Sequence, residues 1–199
     1  MTKIIAIEGP DRCGKATQSK LLLQRLVAAG YTAKIVEVPI HSNFAYSVVY
    51  WMLRNGLAKR FPKIFQWFQY FNRQIFQWRE LPTLEQQCDY IIMDRWSLST
   101  TVYGEATGVH KEFTTKLSRR LKQPFHTFVL LGKSHKHDAE DVYEADTALQ
   151  SRVRKIYKEW VVQHPREGSE IDCNRERAVV SDEIWNTLRM VESVTASKQ

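Results

Sequence analysis

The 199-residue chain has few cysteines and no long apolar run. Its three cysteines, Cys13, Cys88 and Cys173, are odd in number and far apart, which argues against a disulfide framework and for a reducing compartment, so we expect a cytoplasmic protein. They also lack the paired spacing of a zinc site. No stretch approaches the roughly 20 apolar residues of a membrane span. The first seven residues run directly into a strand-like segment, which predicts that no signal peptide is present.

The rest of the composition is that of one globular domain. Hydrophobic residues make up 43% of the chain and charged residues 26%, so a core can form without disulfides or metals. The net charge of +7 favours anionic partners but does not distinguish a nucleotide from a nucleic acid. No run of five or six basic residues marks a nucleic-acid-binding tail. We predict a single domain over residues 1–199, with no membrane partner and no nucleic-acid partner.

Short apolar runs alternate with helical patterns along the chain. Strands are predicted over 3–7, 33–38, 89–93, 127–131 and 170–173, and helices over 15–29, 43–55, 62–81, 97–107, 111–122, 145–163 and 181–194. Ser181 is the expected N-cap of the last helix. Because strands separated by helices need crossover connections, the pattern predicts an α/β fold of three layers, doubly wound around a five-stranded parallel sheet.

Aromatic residues crowd together between positions 61 and 78. On a helix, one wide apolar stripe would contain Ile64, Trp67, Phe68, Phe71, Ile75 and Trp78. The stripe is typical of a core helix, with or without an oligomer interface. The alternative is that one ring stacks on a nucleobase. Both interpretations can hold on different faces of the same helix.

The clearest functional signal is the loop Glu-Gly-Pro-Asp-Arg-Cys-Gly-Lys-Ala-Thr-Gln at residues 8–18. It follows a predicted strand and opens a predicted helix, which is the context of a P-loop. Gly9 and Gly14 let the backbone curl so that N–H groups point inwards, and the helix N-terminus adds partial positive charge. Lys15 is expected to reach the β- and γ-phosphates of a nucleotide. The predicted ATP-binding loop consists of Gly9, Pro10, Asp11, Arg12, Cys13, Gly14, Lys15, Ala16 and Thr17.

Three loop positions leave alternatives open. Ala16 stands where a P-loop has the Ser or Thr that ligates Mg²⁺, so either Thr17 takes over this role or water, phosphates and a carboxylate hold the ion. A glycine turn without a nucleotide is the further alternative. Arg12 is either a group that stabilises charge on the γ-phosphoryl group or a surface arginine. Asp11 is unfavourable in an anion cradle unless it accepts a donor such as a sugar hydroxyl.

The chain resembles the thymidylate kinase family in three segments. Residues 11–15, Asp-Arg-Cys-Gly-Lys, are similar to the family's Asp-Arg-x-Gly-Lys loop, which carries its catalytic arginine. Residues 94–103 are similar to its Asp-Arg-[aromatic]-x-x-Ser-x-x-x-[aromatic] segment and follow the third predicted strand, at the sheet edge where ligands bind in open α/β folds. Residues 141–144, Asp-Val-Tyr-Glu, resemble the family's acidic-x-Tyr-Glu run after the lid.

The resemblance covers residues 3–190 and implies a P-loop nucleoside monophosphate kinase. The implied reaction is ATP-dependent phosphorylation of dTMP to dTDP for dTTP synthesis, with Mg²⁺ as cofactor and a homodimer as assembly. A short lid is expected over residues 133–144, as in viral members of the family, which would place the protein in a host cytoplasm.

The resemblance also implies roles for catalytic residues. Asp11 would bind the 3′-hydroxyl of the acceptor sugar, Arg12 would bridge the two phosphates, and Lys15 would hold the transferring group. Asp94 would anchor Mg²⁺ through water, and Arg95 would clamp the acceptor phosphate with its planar fork. Without the family, Asp94 and Arg95 can also be interpreted as a plain ion pair at a strand end.

Further residues are implied in substrate binding. Ser99 and Thr100 would contact the base edge, and Tyr103 would crowd the sugar 2′ position and reject ribonucleotides, with help from Tyr143. Arg73 would hydrogen-bond the base.

Three features depart from the family pattern, and one further role is implied for Arg175. Phe68 or a neighbouring ring would stack on the base, although the family aromatic falls at Gln69. His41 replaces a phosphate-binding arginine with a weaker donor. Arg175 would flank the adenine. Lid residues 133–144 contain no arginine, which fits the type whose loop arginine supplies that charge.

Two other functions stay open at the level of sequence. One is a broader deoxynucleoside monophosphate kinase or a deoxynucleoside kinase, although nucleoside kinases carry Glu-Arg-Ser where this chain has Asp-Arg-Trp at 94–96. The other is a nucleotide-binding protein without kinase activity, to which Ala16 and the basic charge point. ADP release would separate these possibilities.

Overall fold

A computed structural model describes residues 2–132 and 146–197. The strands are β1 (Lys3–Glu8), β2 (Ala33–Glu37), β3 (Tyr90–Asp94), β4 (His126–Leu131) and β5 (Gly168–Asp172). The helices are α1 (Lys15–Ala28), α2 (Phe44–Arg54), α3 (Leu57–Arg60), α4 (Pro62–Arg79), α5 (Leu81–Gln87), α6 (Ser97–Ala106), α7 (Lys111–Ser118), α8 (Thr147–Gln163) and α9 (Arg177–Ala196). The strands are all parallel, in the order β2-β3-β1-β4-β5. This confirms the predicted α/β fold.

The central strand β1 is buried on both faces, so its side chains alternate between two parts of the core. Ile5 and Ile7 pack with α1 and α9, whereas Ile4 and Ala6 pack with residues of α4, α5 and α7. Such a strand consists of an almost continuous apolar run because each face is covered by helices. The run ends at Glu8, whose side chain is fully buried at the carboxyl end of the strand.

Two short helices were missed, and two predicted helix boundaries were wrong. The short helices α3 and α5 were not predicted, and α4 ends at Arg79 because the chain turns at Glu80 into a helix that begins with Leu81 and Pro82. Proline is favoured in the first turn of a helix. The last helix begins at Arg177, so Ser181 is a buried residue within α9 and not its N-cap.

Helix α4 has a polar buried side and a partly exposed apolar stripe. Gln66, Asn72, Arg73 and Gln74 are buried, although they are polar or charged. Of the predicted apolar stripe, only Ile75 is fully buried, whereas the exposed large side chains include Ile64, Trp67 and Trp78. The predicted stripe is therefore wrong as the core face, because α4 packs into the core through Phe65, Tyr70 and Phe76 instead. Buried polar groups need partners: Asn72 bonds with the backbone of Ile40 after β2, Arg73 donates to the carbonyl oxygen of Trp96 after β3, and Gln74 accepts from Tyr70 on the same helix.

The sheet brings the two predicted motifs together. Ile7 of β1 lies opposite Asp94 of β3 in the parallel register, so the loop after β1 and the segment after β3 leave the same edge side by side. β1 also lies where the strand order reverses, which is where open α/β sheets bind ligands. Within residues 2–132 and 146–197, no helix combines the length and apolar content that crossing a membrane requires.

Candidate active site

The loop between β1 and α1 places glycine at two positions with positive φ, a conformation that favours glycine. Gly9 has φ +141° and Gly14 has φ +77°. A Cβ atom on Gly9 would lie 2.4 Å from the backbone oxygen of Leu130, so there is no room for a side chain. Arg12 also adopts a left-handed conformation, with φ +64°, which is uncommon outside glycine and concentrates at functional sites. The loop thus leads into the N-terminus of α1 with the curvature that an anion cradle needs.

Lys15 lies folded back over this loop. Its Nζ atom donates to the carbonyl oxygen of Pro10 at 2.7 Å, and its side chain is buried. Burial, together with the nearby positive charge of Arg95, lowers the pKa of Lys15 to about 8. A buried ammonium group with one carbonyl partner retains donors for an anion such as a phosphate.

Asp11 connects three elements through its side chain. Its carboxylate accepts from Arg95 in an ion pair, from the Tyr103 hydroxyl at 2.9 Å and from Nε2 of Gln150 at 2.6 Å. The backbone N–H of Asp11 donates to Oε1 of the same glutamine at 3.0 Å. Burial opposes ionisation of this carboxyl group, but the charges of Arg95 and Lys15 and these hydrogen bonds lower its pKa. Asp11 is therefore an ionised acceptor at neutral pH.

Arg95 is fixed in a strained backbone conformation directly after β3. Its φ is +68°, and its N–H donates to the carbonyl oxygen of Ile7 at 3.0 Å. Its guanidinium donates to the carbonyl oxygen of Gly9 at 3.0 Å and lies 5.2 Å from the centre of the Tyr103 ring. Burial opposes its charge, but Tyr103 and Asp11 raise the pKa of Arg95 well above its usual value. The guanidinium is thus held, charged, beside the P-loop.

Asp94 ends β3 between two neighbouring strand ends. It lies opposite Ile7 in β1 and opposite Glu37 in β2. Burial raises the pKa of Asp94, although Lys15 and Arg95 act in the opposite direction. A carboxylate whose charge is disfavoured by burial is ionised more readily when a cation lies beside it.

Glu8 forms a buried network that the sequence analysis did not assign. Its Oε1 accepts from the N–H groups of Trp96 at 2.7 Å and Ser99 at 3.3 Å, and its Oε2 accepts from the hydroxyls of Ser99 at 2.5 Å and Tyr157 at 2.9 Å. A carboxylate at a helix N-terminus satisfies unpaired N–H groups and complements the helix dipole. Glu8 therefore acts as the cap of α6 and fixes the segment that carries Arg95. The signal in the sequence was a single acidic residue ending an apolar strand.

A pocket of about 120 Å³ opens next to Asp11 and Arg95. Its walls come from the loop after β2 and from α2, α4 and α6. The lining residues are Asp11, Val38, Pro39, Leu53, Phe65, Gln66, Gln69, Arg73, Arg95, Ser99, Thr100 and Tyr103. The structure thus brings together most of the predicted substrate-binding residues, and it adds Phe65 and Gln66, which were not predicted.

Arg73 crosses from α4 to α6 beneath this pocket. Its Nε donates to the carbonyl oxygen of Trp96 at 3.1 Å, and its Nη1 donates to the backbone and side-chain oxygens of Gln69 at 2.8 and 3.0 Å. Burial lowers the pKa of Arg73 to about 10, while Glu8 opposes this change. Arg73 therefore both lines the pocket and joins its two walls.

Three predicted base or phosphate contacts are placed differently. Phe68 does not line the pocket but packs against the cluster between α2, α6 and α8, because Phe65 and Gln69 occupy the helix face that points to the pocket. His41 is exposed and stacks on Tyr46 with ring centres 4.1 Å apart, outside the pocket. Ser99 lines the pocket, but its hydroxyl bonds with Glu8 and Tyr157.

The remaining predicted residues lie at the edges of the site. Arg175 is an exposed loop residue that forms an ion pair with Glu183 on α9 and donates to the carbonyl oxygen of Asp172 at 3.3 Å. Ala16 is exposed, and Thr17 is half-buried on the first turn of α1. Tyr143 and the predicted lid over residues 133–144 lie outside the described residues.

Comparisons with known proteins agree on one family. The family model for thymidylate kinase matches residues 7–184. The thymidylate kinase of Neorickettsia sennetsu is 30% identical over 148 residues, which are 70% of this chain and 71% of that protein, and that of Thermomicrobium roseum is 24% identical over 204 residues, 96% of each. A solved thymidylate kinase structure from Candida albicans is 21% identical, covers 96% of this chain and 92% of its own, and has a TM-score of 0.77. At this identity, the structural likeness shows the fold.

Proposed function

The chain belongs to the thymidylate kinase family, and from that premise we propose that it transfers the γ-phosphoryl group of ATP to dTMP, forming dTDP. The observation that supports this most directly is the contact between the two motifs. The Arg95 guanidinium donates to Gly9 and pairs with Asp11. The loop that would bind the ATP phosphates is therefore in direct contact with the arginine that would bind the acceptor phosphate. Two anionic substrates held on these adjoining groups are oriented for in-line transfer.

The donor side of the proposal rests on the loop after β1. Backbone N–H groups of residues 9–15 and the N-terminus of α1 would hold the ATP phosphates. Lys15 would exchange its contact with Pro10 for the transferring phosphoryl group and would stabilise negative charge on it. Arg12 would reach between the donor and acceptor phosphates, and Arg175 would flank the adenine.

The acceptor side rests on the pocket beside Asp11. Arg95 would clamp the dTMP phosphate through its planar fork. Asp11 would accept the 3′-hydroxyl of the sugar in exchange for one of its present donors, and Tyr103, whose hydroxyl lies 2.9 Å from Asp11, would crowd the 2′ position. Thr100 and Arg73 would contact the base, with His41 and Tyr143 acting from outside the pocket.

Mg²⁺ fits the site through one carboxylate. Among the residues that the structure describes, no group of three His, Cys, Asp or Glu side chains forms a metal cluster, and the side chain of Ala16 has no ligating atom. We propose that Asp94 holds the ion through water, together with the phosphates and, as an open alternative, the Thr17 hydroxyl. The ion would neutralise charge on the phosphate oxygens. The position of Asp94 supports this role, because it ends β3 opposite Ile7, at the sheet edge from which the loop after β1 leaves.

We further propose a homodimer that buries an apolar face of α2 and α4. Phe44 and Trp67 are more than 40% exposed, and both rings contact Phe71, at centre distances of 6.0 and 5.1 Å. Contiguous exposed aromatics are typical of interaction surfaces. Trp67→Lys should lower the molar mass measured by light scattering from dimer to monomer. Val162→Lys, at an apolar residue on α8 that is more exposed than Trp67, should leave it unchanged.

A coupled assay of ADP release tests the activity. The substrates would be the deoxy- and ribonucleoside monophosphates and thymidine, each with and without Mg²⁺. We expect dTMP to be preferred, thymidine to be inactive and turnover to require Mg²⁺. Lys15→Met should reduce kcat by about 100-fold or more, whereas Lys20→Met, at an exposed lysine on the same helix, should not.

The same assay decides between this proposal and the alternatives. Comparable rates with several deoxynucleoside monophosphates would indicate a broader kinase, and phosphorylation of thymidine would indicate a nucleoside kinase. ATP binding without ADP release would indicate a nucleotide-binding protein. A Lys15→Met enzyme with normal dTMP phosphorylation would refute the proposed site.

A further inference from the structure

Two residues that line the pocket each carry a buried polar atom with no hydrogen-bond partner among residues 2–132 and 146–197: Nε2 of Gln66 on α4 and Oγ1 of Thr100 on α6. Both residues are only 1% exposed, so water around the protein does not compensate them. A buried donor or acceptor without a partner destabilises the folded protein. Such groups are rare in native proteins and call for an explanation such as a ligand.

The position of Gln66 is set by close packing of three helices. A Cβ atom on Gly104 of α6 would lie 3.4 Å from Cγ of Gln66 and 2.4 Å from Cγ2 of Thr114 on α7. The methyl group of Thr114 therefore fills the space that the missing side chain of Gly104 leaves, and the stem of Gln66 packs beside it, 1% exposed. Since a glutamine held in this way has little rotamer freedom, its amide is preorganised for a partner in the pocket.

We propose that Gln66 determines which base the acceptor pocket takes: its amide N–H donates to a carbonyl oxygen of the base, and the Thr100 hydroxyl pairs with the ring N–H next to that carbonyl. The proposal rests on the proposed function and adds a specificity residue to it. The ligand class is a nucleobase that carries a carbonyl group beside a protonated ring nitrogen, as thymine and uracil do.

Hydrogen-bond polarity explains why the unpaired Nε2 group, the donor end of the Gln66 amide, discriminates. The Thr100 hydroxyl can donate or accept, so by itself it does not distinguish two bases. The Nε2 group of Gln66 only donates, and Arg73, which lines the same pocket, also only donates. A cytosine would turn its exocyclic amino group, itself a donor, towards these donors. A site whose buried polar groups are left unpaired rejects the wrong ligand strongly.

The test compares Gln66→Met with a matched variant, Gln74→Met. Methionine keeps the length of the side chain and removes the amide. Gln74 lies on the same helix, is 4% exposed and already has a partner, since its Oε1 accepts from the Tyr70 hydroxyl at 2.7 Å. For each variant, kcat and KM would be measured with dTMP and with dCMP, and the melting temperature would be measured without nucleotide.

We expect Gln66→Met to lower the ratio of kcat/KM for dTMP over dCMP about tenfold, mainly through KM for dTMP. Its melting temperature should be unchanged or higher, because an unpaired buried donor has been removed. Gln74→Met should behave in the opposite way, with a lower melting temperature and an unchanged ratio. A purely structural role of Gln66 would lower the melting temperature and leave the ratio as it is.

Two further results separate the failure of this inference from the failure of the proposed function. If the wild-type protein releases no ADP with any nucleoside monophosphate, the proposed function is wrong. If the wild type phosphorylates dTMP and Gln66→Met has the same dTMP to dCMP ratio, the inference alone is overturned. Should Gln66→Met fail to fold, Thr100→Val, which removes the second unpaired atom, must raise KM for dTMP at least severalfold, and an unchanged KM overturns the proposal.

Discussion

Asp11 and Arg95 form an ion pair across 84 positions of the chain, and this pair joins the loop after β1 to the segment after β3. Both groups are ionised at neutral pH, because each stabilises the charge of the other against burial. In the proposed reaction, the same two groups hold the sugar and the phosphate of the acceptor. The ion pair thus fixes this wall of the pocket before a substrate binds, and the substrate would contact the same two side chains.

Asp11→Asn should weaken both acceptor binding and folding. We expect KM for dTMP to rise about tenfold, since Arg95 loses the partner that orients it. The lowered pKa of Asp11 also stabilises the fold above the usual carboxyl range near 3.9, and this contribution disappears as the pH falls through the folded pKa. Urea unfolding should therefore show a difference between wild type and variant that is full at pH 6 to 7 and shrinks below pH 4. Asp182→Asn, at an exposed aspartate, should show little difference at either pH.

ATP binding should take up protons near pH 8. In the protein alone, the pKa of Lys15 is about 8, so part of the population carries a neutral amine at that pH. A bound polyphosphate favours the charged form, so binding adds protons and affinity falls as the pH rises further. Calorimetry in buffers of different ionisation enthalpy measures the uptake. In Lys15→Met, this uptake should be lost. An unchanged uptake would show that Lys15 is not the group that takes up the proton.

Gly9→Ala and Gly14→Ala should differ in their effect on stability. A Cβ at position 9 would lie 2.4 Å from the Leu130 carbonyl oxygen, whereas nothing lies within 4 Å of one at position 14. Gly14→Ala should therefore cost only the left-handed strain, about 1–2 kcal/mol. Gly9→Ala adds a backbone overlap and should cost about 3 kcal/mol or more. Urea unfolding of both variants checks the order, and equal losses would show that the loop relaxes at position 9.

Glu8→Gln should destabilise the protein although the shape of the side chain is kept. The carboxylate accepts from two N–H groups and two hydroxyls, and an amide nitrogen at one of its positions would face donors. We expect a loss of about 2–3 kcal/mol in the free energy of unfolding. Glu37→Gln, at the exposed end of neighbouring β2, should change stability by less than about 0.5 kcal/mol. If Glu8→Gln and Glu37→Gln lower the free energy of unfolding equally, Glu8 does not act as the cap of α6.

The sequence predicted the long helices and strands well, since each has a clear periodic spacing of apolar residues. The apolar strand from Lys3 to Glu8 and the helix from Lys15 to Ala28 lie within one residue of the predicted positions. The four-residue α3 and the start of α9 were not predicted, because elements of one turn and helix ends depend on contacts from elsewhere in the chain.

The residues of the candidate site also fall into two groups, those that could be predicted from the sequence and those that could not. The Gly9–Lys15 loop and the Asp94–Arg95 pair could be found from sequence, because a phosphate cradle and a strand-end clamp need particular residue types in an unbroken segment. Gln66, Phe65 and Gln150 could not be found, since nothing near them in sequence shows which face of their helix meets the sheet edge.

The amino-acid sequence by itself determined the order of strands and helices and the position of the candidate phosphate-binding loop, because hydrophobic periodicity and glycine placement act over a few neighbouring residues. Only the tertiary structure decided that α4 turns Gln66 and Arg73 inwards and leaves Trp67 at the surface. That choice depends on partners such as Trp96 and Gly104, which lie more than twenty residues away and come close only when the helices pack on the sheet.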